Sequence, residues 1–171
     1  MFNNPQIDAL SIPNIDNLNL EKVERSYLYI LLFNRLLGFL FPLIAVITIG
    51  FITNFEGWMF YFWTAIATLI ALLVISCIYT FLSFPKRRYA LREHDIIYTE
   101  GLLLNSFTTV PFVRIQHTEI SCSFLERKLQ LSTLKIYTAG ATGSDLFISG
   151  LSKETAQKIN AFLTTKINDQ L

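Results

Sequence analysis

The sequence is short of charge, and the shortage is local. Charged residues make up 16% of its 171 residues, against roughly a quarter in an ordinary globular domain. From Leu36 to Leu82 the only charged residue is Glu56, while both flanks are ordinary in composition. That distribution excludes a uniformly greasy globule and points to a membrane segment. Cysteine is scarce as well. Cys77 and Cys122 are too few for a disulfide scaffold. One falls in the apolar stretch and one beyond it, so both read as free thiols, in keeping with a reducing compartment. The net charge of +1 leaves no electrostatic footprint for nucleic acid, and none is expected as a partner.

Reactive constellations are missing too. His94 stands between Glu93 and Asp95 in a turn, and His117 in a strand. Neither has metal-ligand spacing to another His or Cys. Cys122 follows His117 by five residues, an odd offset that strand alternation places on opposite faces. The glycines of Ala139-Gly140-Ala141-Thr142-Gly143-Ser144-Asp145 lack the Gly-Lys-Ser/Thr of a phosphate loop. They also lack the three spaced glycines opening a helix that a dinucleotide site needs. A strand follows instead, so this is a hairpin loop. No catalytic, cofactor-binding or metal residue is assigned, no cofactor is expected, and the chain is not read as an enzyme.

What is present begins with two apolar runs, Leu36–Thr53 and Trp58–Leu82. Crossing the hydrocarbon takes about 20 apolar residues in a helix, and in lipid the backbone must satisfy itself, so two runs are two helices. The loop Asn54-Phe55-Glu56-Gly57 between them forces an antiparallel hairpin. A signal peptide fits poorly, because more than two dozen mostly polar residues come first and a second span follows at once. The loop has no Lys or Arg, whereas Lys22, Arg25 and Arg35 precede the first span and Lys86, Arg87, Arg88 and Arg92 follow the second. By the positive-inside rule both termini are expected in the cytoplasm, at the inner or plasma membrane. Pro42 is read as a tolerated membrane proline that kinks the first span, and Arg35 as snorkelling to the headgroups. Trp58, Tyr61 and Trp63 suit the outer interface. With no charge in their centres, the spans read as an anchor rather than a pore.

Residues 1–19, rich in Asn, Asp and Pro, read as a mobile tail. Residues 20–84 hold the spans (about 36–53 and 58–82) and, over Leu20–Tyr29, a juxtamembrane helix suggested by alternating Glu and Lys/Arg. Residues 85–171 form a soluble domain, strands first and helix last. Strands are expected over Arg87–Arg92, Ile96–Glu100, Leu102–Thr109, Arg114–Ser121, Leu134–Thr138 and Asp145–Ser149, with Gly101 turning the second into the third. Phe124–Leu131 has a helical or turn-like period. Ser152 caps a final helix to about Ile167, whose Ala156, Ile159, Phe162, Leu163 and Ile167 share a face able to close a sheet.

The stretch RRYALREHDIIYTEGLLLNSFTTVPFVRIQHTEI, then LER, then LSTLKIYTAGATGSD and a final helix, resembles the bacterial pleckstrin-homology-like domain family of the YdbS-like, two-span membrane type. The most specific pieces are Pro111-Phe112-x-Arg114-Ile115-Gln116-His117 and Leu134-Lys135-Ile136-Tyr137-Thr138-Ala139-Gly140. One turn departs. The family usually has glycine and proline before Leu-Glu-Arg and Phe-Gly-Leu after it. Here Ser123-Phe124 and Lys128-Leu129-Gln130-Leu131 stand there. The resemblance implies a partly open barrel capped by a helix, and no reaction. The fold class is therefore a membrane α-helical hairpin plus an α+β domain, a small antiparallel pleckstrin-homology-like barrel or sandwich with a C-terminal helical cap.

Two polar groups are the candidate contacts for a partner or lipid. One is the basic set Lys86, Arg87, Arg88 and Arg92 beside the membrane, where each charge near an anionic leaflet contributes about 1 kcal/mol. The other is Arg114, Gln116 and His117, with Arg114 and Gln116 two apart on one strand face. In eukaryotic pleckstrin-homology domains the turn between the first two strands is basic and binds phosphoinositides. Here the corresponding turn, Glu93-His94-Asp95, is mostly acidic, so that function is not carried over. The expected function is a non-enzymatic, membrane-anchored interaction module at the cytoplasmic face. Its expected partners are the bilayer and other membrane proteins, a related pleckstrin-homology-like protein among them, with anionic lipid as a second contact. The alternative is a ligand- or lipid-sensing component of an envelope-stress or membrane-defence system. The orientation is testable directly: a fluorescent protein fused after Leu171 should fluoresce and alkaline phosphatase fused there should be inactive, the reverse pattern placing the C-terminus outside.

Overall fold

The computed structural model describes residues 19–53, 57–139 and 145–168. The expected tail, most of the loop between the spans and the glycine loop before Asp145 lie outside the described residues. The two apolar runs are helices, α1 (Tyr27–Ile52) and α2 (Trp58–Ser83), each of 26 residues. At 1.5 Å per residue that is about 39 Å, more than the hydrocarbon core requires. Their apolar side chains face outward, as in Phe41, Phe51 and Phe81, which is stable only if lipid replaces water around them. Where the helices cross, Gly50 lets the Phe62 ring approach, and a Cβ there would stand 2.5 Å from it.

The segment before α1 differs from the expected helix over Leu20–Tyr29. Glu21–Lys22 is a strand, β1, and the helix starts only at Tyr27. β1 pairs antiparallel with β2 (Arg88–Leu91), Glu21 opposite Tyr89 and Lys22 opposite Arg88. The physical reason is tertiary. Val23 is buried in the domain core, the Tyr89 hydroxyl donates to Glu21 Oε2 at 2.7 Å, and the Glu24 amide donates to the Gly150 carbonyl at 2.8 Å. Alternating charge suits an exposed strand as well as a helix, and packing decides between them. The membrane hairpin is thus the connection between the first two strands of the domain.

β3 (Asp95–Glu100) and β4 (Ser106–Pro111) complete a four-stranded sheet in the order β1-β2-β3-β4. β5 (Ile115–Ser121), β6 (Leu131–Thr138) and β7 (Leu146–Ser152) form a second sheet in that order. The inner faces meet over Ile96, Val110, Leu134, Ile136, Ile148 and Leu151, and Phe112 enters from the turn between the sheets. The last helix, named α4 because a short α3 (Phe124–Lys128) lies between β5 and β6, spans Lys153–Asn168. It closes the core with Ala156, Ile159 and Leu163, and Phe162 meets Phe112 edge-on at 5.9 Å. Ser152 caps it, accepting from the Thr155 amide at 3.1 Å. This is the expected α+β class, two antiparallel sheets with a helical cap beside a membrane hairpin.

Two local differences bear on function. Leu102–Asn105, expected as the start of a strand, is a loop, and β4 begins at Ser106. Gly101 has φ +101° and the Leu104 carbonyl folds back against it, a bend closed to any residue with a Cβ. Gly150, at φ +81°, lies under the Tyr27 ring, 2.5 Å from where a Cβ would stand. It ties α1 to the second sheet. Gly150→Ala should therefore lower stability by about 2 kcal/mol or more, from the left-handed backbone and the clash together. In thermal melts of the detergent-solubilised protein, adding Tyr27→Ala should return part of that loss. Strict additivity of the two would show that the ring does not bear on Gly150.

Candidate functional site

The basic residues beside the membrane are largely committed to the domain itself. Arg87 turns inward, its guanidinium 3.8 Å from Glu100 Oε2 and 5.9 Å from the centre of the Tyr27 ring. Tyr98 donates to the same Glu100 oxygen at 3.3 Å. Burial pushes the Tyr98 hydroxyl well above the usual phenol range. Burial, and then the hydrogen bond to Glu21, does the same for Tyr89. Both phenols therefore remain donors at any physiological pH. Arg88 Nε donates to the Pro85 carbonyl at 3.1 Å. Arg92 forks onto Asp95, with Nε to Oδ1 at 2.6 Å and Nη2 against Oδ2, at the end of β2 away from the spans. Lys86 is exposed and has no side-chain partner among the described residues. The structure thus does not gather the four into one patch.

Arg114, Gln116 and His117 also separate. Arg114 ends a turn of 3-10 helix, Phe112–Arg114. The β5–β6 register shifts between Ile115 and His117, so Gln116 sits in an irregularity. The even spacing that would have put Arg114 and Gln116 on one strand face does not operate. His117 instead stacks on Tyr137, centroids 4.3 Å apart and planes within 16°. Tyr137 meets Phe147 edge-on at 6.3 Å. This row of three rings crosses the outer face of the second sheet. Beside it Glu119 accepts from Lys135 at 3.2 Å and from the Tyr137 hydroxyl at 3.1 Å, and those two bonds hold its carboxyl below the usual carboxylate range. Sequence reading missed the row because it depends on register across three strands. His117 faces Tyr137, and Lys135 faces Phe147.

The sheets do not close on each other everywhere. β4 and β7 are the outer strands of their sheets, and a cavity of about 300 Å³ lies between β7 and the first sheet, with Thr108 of β4 on its wall. Arg87, Tyr98, Glu100 and Thr108 line one side and Leu146, Phe147 and Ser149 the other. The outer edge of β4 has no strand partner among the described residues. Phe107 on β4 and Phe147 on β7 are about half exposed, at 52% and 49%. The turn after α3 also carries strain: Gln130 has φ +56°, at the position where the resembled family has glycine. Among the described residues no three His, Cys, Asp or Glu side chains converge as a metal site. Cys77 and Cys122 are free thiols, and Cys122 Sγ donates to the Leu131 carbonyl at 3.1 Å.

Comparison with known proteins agrees with this architecture. The family model described as bacterial PH domain matches residues 28–167, from α1 to α4. The chain is 30% identical over 122 residues to the UPF0699 transmembrane protein YdbS of Bacillus subtilis (strain 168), covering 68% of this chain and 73% of that protein. No solved structure matches.

The pairing around Glu119 gives a measurable consequence. Lys135→Gln or Tyr137→Phe should each raise the Glu119 pKa toward the ordinary carboxylate value, the lysine substitution by more. NMR titration of the side-chain carboxyl follows it, and an unchanged midpoint in both variants would mean that neither bond persists in solution.

Proposed function

We propose that this chain, which belongs to the bacterial PH domain family, is a non-enzymatic, membrane-anchored interaction module that binds an extended segment of another membrane protein at the open seam between β4 and β7. The observation that carries this is the character of β4. Proteins blunt free sheet edges with charge, proline or a covering element, because an open edge invites pairing. The sequence of β4 is Ser-Phe-Thr-Thr-Val-Pro, with no charge and its single proline at the far end. An uncharged edge whose Thr108 lines a cavity shared with Phe147, and whose Phe107 is exposed, suits recognition by strand addition: backbone bonds supply affinity and side-chain pockets supply specificity.

The mounting supports the same reading. β1 and β2 hold the domain directly against the spans, so the seam stays at a fixed height over the bilayer, within reach of other membrane proteins. Lysine and arginine flank both spans and are missing from residues 54–57. On that ground the domain and both termini lie at the cytoplasmic face of the inner or plasma membrane.

The test is crosslinking in native membranes, followed by capture in mild detergent and identification of what is bound. Wild type should recover a reproducible membrane protein, and Phe107→Lys with Thr109→Lys should lose it while still inserting and melting normally. Equal capture by the variant would remove the seam from the proposal. Recovery of no reproducible partner by wild type would remove the interaction module altogether.

A further inference from the structure

A second cavity, of about 310 Å³, opens where the spans meet the β3–β4 loop. Leu31, Arg35, Tyr79 and Ser83 line it from α1 and α2, and Glu100 and Leu104 from the domain. Arg35 is the unusual member. It lies eight residues after Tyr27, the first residue of α1, about 12 Å along the helix, with Leu36 and Leu37 following it in the chain. No carboxylate stands within ion-pair distance of it among the described residues. Glu100 is the one acid on the cavity wall, and it is taken by Arg87 and Tyr98. Arg35 is exposed, and a planar fork of donors without a carboxylate partner suits a phosphate.

The opposite wall says which phosphate. Leu103 and Leu104 are 82% and 86% exposed at the tip of the β3–β4 loop, held out by the bend at Gly101. Leu104 shares the cavity with Leu31 and Tyr79, which belong to the helices that cross the membrane. Acyl chains packed against those helices would therefore lie within reach of the exposed loop leucines, next to the cavity.

We propose that this cavity is a phospholipid site, with the lipid phosphate on Arg35 and its acyl chains along Leu103 and Leu104. Tyr79, on the same wall, offers a phenol as a second donor. The site needs neither the seam nor a protein partner, and it holds whichever side of the membrane the domain occupies.

Native mass spectrometry of the full chain in detergent, titrated with phosphatidylglycerol, tests it. Wild type should retain a bound lipid as the detergent concentration is raised. Arg35→Gln should weaken retention about tenfold or more, and Arg35→Lys, which keeps the charge and loses the fork, should fall between. Leu103→Ser with Leu104→Ser should also weaken it with Arg35 intact, and those exposed positions leave the core untouched should Arg35→Gln fail to fold. Excess inorganic phosphate should not displace the lipid. Equal retention by the leucine variant and by whichever Arg35 variants fold, or displacement by inorganic phosphate, would overturn the site.

Discussion

Two backbone pairs, Glu21 with Tyr89 and Lys22 with Arg88, hold this molecule in its form. They join the residues before the first span to those after the second, so everything between them is one closed excursion through the membrane. Closing so long a loop in a disordered chain is entropically unfavourable. Here the two helices, each satisfied by its own backbone bonds in lipid, return the chain beside its starting point. The hairpin is then part of the domain's architecture as well as its anchor. A chain beginning at Pro85 would lack β1, leave the edge of β2 open and remove Val23 from the core it shares with Tyr89.

The same junction explains how the basic residues are spent. Arg87 lies between the Tyr27 ring and Glu100, and Tyr27 covers Gly150 on β7. The start of α1 is thereby tied to both sheets, to the first through β1 and Arg87 and to the second through Gly150. The Arg87 charge is directed at Glu100 and the Tyr27 ring, at the junction of the domain with α1. Surface ion pairs contribute little singly. Arg87, only partly exposed and in contact with two side chains, is better placed than most to fix an orientation.

What could be read from the sequence follows from the range of the interactions involved. The hairpin was legible because the charge gap from Leu36 to Leu82 is a property of composition. The strands and last helix were legible because burial on one face imposes a period. β1 was not: two residues carry no period, and Glu-Lys reads equally as a solvated helix. The Leu102–Leu104 run reads as an apolar strand, and only the bend at Gly101 turns it outward. The aromatic row of His117, Tyr137 and Phe147 needs the register of three strands, including a shift at Gln116 that breaks the local alternation. Gln130 is intermediate. Its left-handed backbone, φ +56°, is invisible to its own side-chain chemistry, and only the glycine of the resembled family marks the turn. A non-glycine residue there costs about 1–2 kcal/mol, which the capping box of Ser123 and Glu126 and the Thr133 bond to Glu126 at 2.6 Å help offset in the adjoining helix.

Two sets of exposed apolar side chains on the domain have different surroundings. Leu103 and Leu104 stand beside the spans. Phe124 does so too, because α3 lies next to α1, and its ring carries the Lys128 ammonium at 4.9 Å. A ring and a cation at the membrane end of a domain meet the requirements of the headgroup layer, apolar below and charged above. Phe107 and Phe147 belong to the other set, on the strands that border the seam. Lipid already surrounds the helices, so the first set is covered as soon as the chain inserts. The second set, on β4 and β7, has no such cover among the described residues. The proposed occupants differ accordingly, the bilayer for the first set and a protein strand for the second. Substitutions that weaken lipid retention at Arg35 should accordingly leave the seam competent, and those in β4 should leave the lipid in place.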